Sequence, residues 1–190
     1  MTFIEALAVA LGLANVALIV RRSVWNFPFG IAMVTLYGWI FFDARLYGEA
    51  GLQVFFFVVQ FYGWWKWTRA IDRDGDLAVF WSKPAALLAG FAVTVVLAVT
   101  MGMALDRWTD AAAPYPDATV AAASVVAQVL LSVRRIENWV YWIAVDVLSV
   151  GLFYYRELYL TAGLYVVFLV LASMGLVAWM RAGKQAQSAA

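Results

Sequence analysis

The stretch that decides the fold is Asn138-Trp139-Val140-Tyr141-Trp142-Ile143-Ala144-Val145-Asp146-Val147-Leu148-Ser149, an acid set in a run otherwise apolar enough to lie in a bilayer. At helical spacing Asn138, Trp142, Asp146 and Ser149 stand at i, i+4, i+8 and i+11, so amide, indole, carboxyl and hydroxyl share one face. Val, Ile and Leu cover the other faces. A carboxylate at mid-helix costs about 2.5–3.5 kcal/mol on insertion scales, so it is retained where a partner or a ligand recovers the loss. This face is expected to line a cavity.

The rest of the chain suits such a setting. Of 190 residues 66% are hydrophobic and 13% charged, with mean hydropathy +0.84, a composition that a soluble domain with a charged surface does not reach. The fold class is therefore an all-α integral membrane protein. A span needs about 20 apolar residues, so the length accommodates roughly six to eight spans with short connections and no separate soluble domain. The absence of cysteine excludes disulfides, thiolate catalysis and zinc–thiolate sites, and the absence of histidine removes the commonest metal ligand and proton relay. No cofactor, metal or nucleic acid is expected. The first segment carries Glu5 and no basic residue, unlike the n-region of a signal peptide, and reads as a retained span.

Seven apolar segments read as transmembrane helices, at roughly 2–20, 26–42, 48–68, 84–104, 118–133, 138–154 and 159–180. Pro84 opens the fourth where a missing N–H costs nothing, Pro114 and Pro116 are expected in the turn before the fifth, and Arg181–Ala190 reads as a frayed polar tail. Ten basic residues (Arg21, Arg22, Lys66, Arg69, Arg73, Lys83, Arg134, Arg135, Arg181, Lys184) fall on one side of this arrangement and three (Arg45, Arg107, Arg156) on the other. Basic residues accumulate on the cytoplasmic face, which places the N-terminus outside and the C-terminus inside.

Shifting the sequence on itself by 112 residues aligns Arg22–Arg69 with Arg134–Arg181 without a gap, and 17 of the 48 positions are identical. Asn26 matches Asn138, Ile31-Ala32 matches Ile143-Ala144, Leu46-Tyr47 matches Leu158-Tyr159, Gly63 matches Gly175, and Trp67 matches Trp179. Apolar composition alone rarely matches Asn, Gly and Trp together. The expected organisation is a parallel 3+1+3 repeat: 1–69 a first three-helix unit, 70–117 a linker with helix four, 118–181 a second unit, and 182–190 a cytoplasmic tail. Such repeats are a transporter architecture with the substrate site near the midplane between halves.

A duplicated scaffold keeps packing residues in both copies, so polar residues present in one copy are the candidates for gripping an asymmetric ligand. On helix three Gln53, Gln60, Trp64 and Trp67 share a face, against Tyr165, Ala172, Leu176 and Trp179 in the second copy. On helix six Trp142, Asp146 and Ser149 stand against Gly30, Val34 and Tyr37. Gln128 stands against Val16. The candidate substrate-binding residues are thus Gln53, Gln60, Trp64, Gln128, Trp142, Asp146 and Ser149, with Asn26 and Asn138 added. Plainer roles compete: tryptophan belts for Trp64, Trp65 and Trp67, interhelical hydrogen bonds for Gln60 and Gln128, helix caps for the duplicated asparagines, and a buried ion pair for Asp146. Aromatic faces with one carboxyl group suit a flat, polar, cationic molecule of the vitamin type. A retinal receptor would need a lysine in 159–180, and an intramembrane enzyme a nucleophile with its base; the sequence offers neither.

Leu52-Gln53-Val54-Phe55-Phe56-Phe57, Tyr62-Gly63-Trp64-Trp65-Lys66-Trp67, Glu137-Asn138-Trp139 with Trp142, Asp146, Val147 and Ser149, and Leu158-Tyr159 together resemble the PnuC family of nicotinamide riboside transporters. The likeness runs through nearly the whole chain. It implies a SWEET-like fold, a homotrimer with one pathway per protomer in the bacterial inner membrane, and facilitated diffusion of an unphosphorylated vitamin that a cytoplasmic kinase then traps. Relatives in the family imply thiamine or another cationic or aromatic vitamin as the alternative substrate.

Overall fold

Each apolar segment forms one helix: α1 (Phe3–Val20), α2 (Asn26–Asp43), α3 (Tyr47–Thr68), α4 (Pro84–Trp108), α5 (Pro114–Ser132), α6 (Asn138–Tyr155) and α7 (Tyr159–Ser188). The computed structural model describes residues 3–43, 47–71, 77–109 and 113–188; Arg45, Leu46 and Arg73 lie outside the described residues. Two expectations are corrected. Pro114 does not precede α5 but opens it, and Pro116 lies in its first turn, where backbone N–H groups have no intrahelical acceptor to lose. Residues 181–188 do not fray but continue α7, and α4 runs on to Trp108.

Among the described residues only α1, α4 and α7 are long and apolar enough to be spans by composition alone. α2, α3, α5 and α6 include buried polar residues, among them Asn26, Gln60, Gln128, Asn138 and Asp146, which lower mean hydropathy without exposing those groups to lipid. Contacts between helices close a ring in the order α1, α2, α3, α5, α6, α7 and back to α1, while α4 packs outside it, chiefly against α5, with Gly90 facing the Tyr141 hydroxyl of α6. α4 accordingly presents Leu88, Phe91, Val96 and Met103 outward. α5 has neighbours on three sides and is lined with small residues, Ala118, Ala122, Ala123, Ser124 and Ala127, which let backbones approach closely.

Residues 112 apart do the same work. The Trp67 indole donates to the Leu131 carbonyl (3.2 Å) and the Trp179 indole to the Ile19 carbonyl (3.0 Å), each closing one contact between the halves. Trp67 meets Phe27 edge-on with centroids 5.1 Å apart, and Trp179 meets Trp139 the same way at 5.6 Å. A Cβ on Gly63 would strike the Phe27 ring at 2.7 Å, and one on Gly175 the Trp139 ring at 2.5 Å, so both matched glycines exist to admit an aromatic ring. Arg22 (φ 56°) and Arg134 (φ 62°) take the left-handed conformation at the matched corners before α2 and α6.

Residues 77–82, before α4, cross this same end as an extended strap. Arg22 donates to the Leu77 carbonyl (2.8 Å) and Arg134 to the Ala78 carbonyl (3.1 Å), so each corner holds it. Phe80 exchanges backbone hydrogen bonds with the α5–α6 turn, and the Ser82 N–H is held by both oxygens of the buried Glu137 carboxylate at 3.1 and 3.2 Å. Burial, and then the neighbouring Arg135 charge, lower the pKa of Arg134. Leu77 and Val79 point inward and join Ile19, Phe27, Trp67, Leu131, Ile136, Trp139 and Trp179 in one apolar cluster that seals this end of the ring.

Candidate functional site

Above that aromatic seal the ring encloses polar side chains. Asp146 (4% exposed), Gln60 (3%), Gln128, Ser149, Asn26, Asn138, Asn15 and Ser124 are buried between the helices. Burying polar atoms without partners costs about 1–3 kcal/mol each, so buried groups are normally paired. Six are not, among the described residues: Asn26 Oδ1, Gln60 Oε1, Gln128 Nε2, Asn138 Oδ1, Trp139 Nε1 and Ser149 Oγ, the last of which does lie within reach of the Tyr165 hydroxyl. Five of these belong to residues singled out from the sequence. Such a cluster is what a site shaped for a polar ligand leaves behind.

The candidates divide into groups. Asn26 and Asn138 open α2 and α6, and their Nδ2 groups donate back to the Ser23 carbonyl (2.7 Å) and the Arg135 carbonyl (2.6 Å). These amides close the corners, and their Oδ1 atoms stay free for another donor. Gln60 lies against Gly30 and beside Asn15, bringing α1, α2 and α3 together. Asp146 stands one turn before Ser149 on α6, and Tyr165 of α7 is within electrostatic range of both Asp146 and Tyr37. No lysine or arginine pairs with Asp146 among the described residues, so the ion-pair reading is set aside.

Trp64 and Trp142 are half-buried and pack against the aromatic seal, on opposite halves of the ring. Trp64 also leans on Phe61 with centroids 6.5 Å apart. Gln53 stands apart, half-buried towards the start of α3, with its Cβ in van der Waals range of the space beside Gly38. The described cavities lie elsewhere. A groove of about 530 Å³ runs along α7 past Ser173, Met174 and Arg181, and a pocket of about 150 Å³ lies beneath the strap beside Ile136 and Met180. None of the nine candidates lines either of these two.

Sequence reading missed Asn15. It lies in the most apolar context of the chain, and its amide donates to the Asn26 carbonyl at 2.6 Å across the α1–α2 interface. A signal was present: Asn15 matches Ala127 under the 112-residue shift, the same one-copy polarity that singled out Gln60. The next position was read, Gln128 against Val16, and this one was passed over.

The nicotinamide mononucleotide transporter family model matches residues 2–181. The chain belongs to that family. Among individual relatives of the nicotinamide mononucleotide transporter family, the nicotinamide riboside transporter PnuC of Escherichia coli is 27% identical, across 100% of this chain and 90% of its own length. The riboflavin/roseoflavin transporter RibM of Streptomyces davaonensis is 30% identical, across 89% of this chain and 80% of its own. The crystal structure of the vitamin B3 transporter PnuC superposes with a TM-score of 0.78 at 25% identity, covering 96% of this chain and 83% of that one. This chain is accordingly a membrane transporter and not an enzyme.

Proposed function

We propose that the chain takes up nicotinamide riboside by facilitated diffusion through the middle of the six-helix ring. The observation that carries the reading is the set of unpaired polar atoms that are buried, as Asp146 is, in helices of both halves. Nicotinamide riboside supplies what such a lining lacks: hydroxyl and amide donors and acceptors, a flat ring, and one positive charge. The chain's likeness to transporters named for that substrate supports the choice. The unphosphorylated form is favoured over the mononucleotide because every Lys and Arg lies towards a helix end or in a connection. A phosphate, with roughly −1.5 to −2 charge, would meet Asp146 with no cation beside it.

The 3+1+3 repeat is part of this proposal, supported by the matched indole bonds, glycine seats and corner arginines. So are a cytoplasmic C-terminus in the bacterial inner membrane, supported by the ten-to-three split of basic residues, and a homotrimer, which rests on family resemblance. Trapping by a cytoplasmic kinase follows from the same electrostatics, since the phosphorylated product is the form that the site disfavours. Riboflavin is the second reading, favoured by the RibM likeness; the relatives named above give thiamine no comparable support.

The test is a calorimetric panel on detergent-purified protein with nicotinamide riboside, nicotinamide mononucleotide, riboflavin and thiamine. The riboside is expected to bind at least ten-fold more tightly than the other three. Tightest binding of riboflavin would transfer the assignment to the second reading.

A further inference from the structure

We propose that Gly30 and Asn15 are specificity-determining residues that act by seating the Gln60 carboxamide, leaving its Oε1 to accept from an N–H or O–H donor on the substrate. The inference rests on the nicotinamide riboside reading and adds to it two residues that touch Gln60. Gly30 has no side chain, and its Cβ position is occupied: an added Cβ would lie 2.8 Å from both Asn15 Nδ2 and Gln60 Cδ and would collide with Gln60 Nε2. Asn15 cannot easily withdraw, because its Nδ2 donates to the Asn26 carbonyl at 2.6 Å. Gln60 is thus fixed between an absent side chain on α2 and an anchored one on α1.

Its Oε1 is buried and has no hydrogen-bond partner among the described residues. A buried acceptor held in place and unpaired rejects any ligand that brings no donor, which makes it a source of discrimination and not only of affinity. The second half of the chain lacks every part of this seat, with Ala127, Trp142 and Ala172 at the matched positions. The seat therefore distinguishes one end of the ligand from the other.

The nearest atom a Cβ on Gly30 would strike, Gln60 Nε2, is the far end of a flexible side chain, the Asn15 amide at 2.8 Å would have to give by a few tenths of an ångström, and alanine is a better helix former than glycine. Gly30→Ala should consequently displace Gln60 while leaving α2 intact. The experiment is a double-mutant cycle, measured by calorimetry with nicotinamide riboside and with riboflavin on wild type, Gly30→Ala, Gln60→Ala and the pair, alongside ligand-free thermal unfolding. Gly30→Ala is expected to weaken riboside binding ten-fold or more with its ligand-free unfolding temperature close to wild type, and to add nothing in the Gln60→Ala background. Should Gly30→Ala fail to fold, Asn15→Ala is carried through the same cycle with the same expectation. Wild-type affinity in Gly30→Ala, or losses that add in full, would overturn the seat and leave the substrate reading standing. If wild type binds neither ligand, the substrate reading falls and takes this inference with it.

Discussion

Among the described residues Asp146 is the one acid that stands in the middle of a helix; the others lie at helix ends or in connections. Its burial without a basic partner gives it a cost of about 2.5–3.5 kcal/mol that packing does not return. A cationic ring placed beside it would return part. Asp146→Ala should therefore weaken nicotinamide riboside binding by roughly ten-fold or more, about 1.4 kcal/mol, in calorimetric titration. Asp43→Ala, which removes an exposed acid at the end of α2, should change it less than two-fold. Equal small effects from both would reduce Asp146 to a packing residue. At this scale Gln60, Gln128, Asp146 and Ser149 were legible because each breaks an apolar pattern in one copy and not in the other. Asn15 was equally polar and equally unmatched, standing against Ala127 one position before the Val16–Gln128 pair, and was passed over. That Gln60 sits in the space left by Gly30 was not legible, since it depends on how far α2 and α3 approach one another.

Helices and their matched interfaces were legible from a different signal, the recurrence of Asn, Gly and Trp at a fixed interval. The structure explains why those residues recur: the glycines admit aromatic rings, the indoles reach carbonyls across the ring, and the asparagines close the corners. Trp67→Phe and Trp179→Phe each remove an indole donor from a carbonyl that keeps a backbone partner, the Arg134 N–H on Leu131 and the Arg22 N–H on Ile19, so each should lower unfolding stability by roughly 0.5–1.5 kcal/mol, and by similar amounts. Chemical denaturation followed by tryptophan fluorescence in detergent measures both. A loss confined to one of them would mean that the two interfaces are not equivalent. Helix ends were less legible. Pro114 and Pro116 serve equally well in a turn or at the start of a helix, and the polar residues after Arg181 carry no marker that ends α7. The strap over 77–82 had no sequence signature either, because its bonds come from backbone groups and from arginines that composition reads only as charge.

At the scale of the whole molecule, six helices form a ring with an apolar cluster at one end and unpaired polar groups beyond it, and α4 stands outside. On the proposed reading the ring is a pathway, the cluster and its strap close one mouth, and the polar interior holds a cationic vitamin that moves down its own gradient. With neither histidine nor a second mid-helix acid to relay protons, coupling to a proton gradient is not expected. The most direct measurement is uptake of labelled nicotinamide riboside into liposomes containing the purified protein, with no ion or voltage gradient imposed. A passive carrier should show saturable entry that stops when inner and outer concentrations are equal, unchanged by protonophore and sharply reduced by Asp146→Ala. No saturable flux of the riboside, or accumulation above the outer concentration only when a gradient is applied, would contradict facilitated diffusion through this ring.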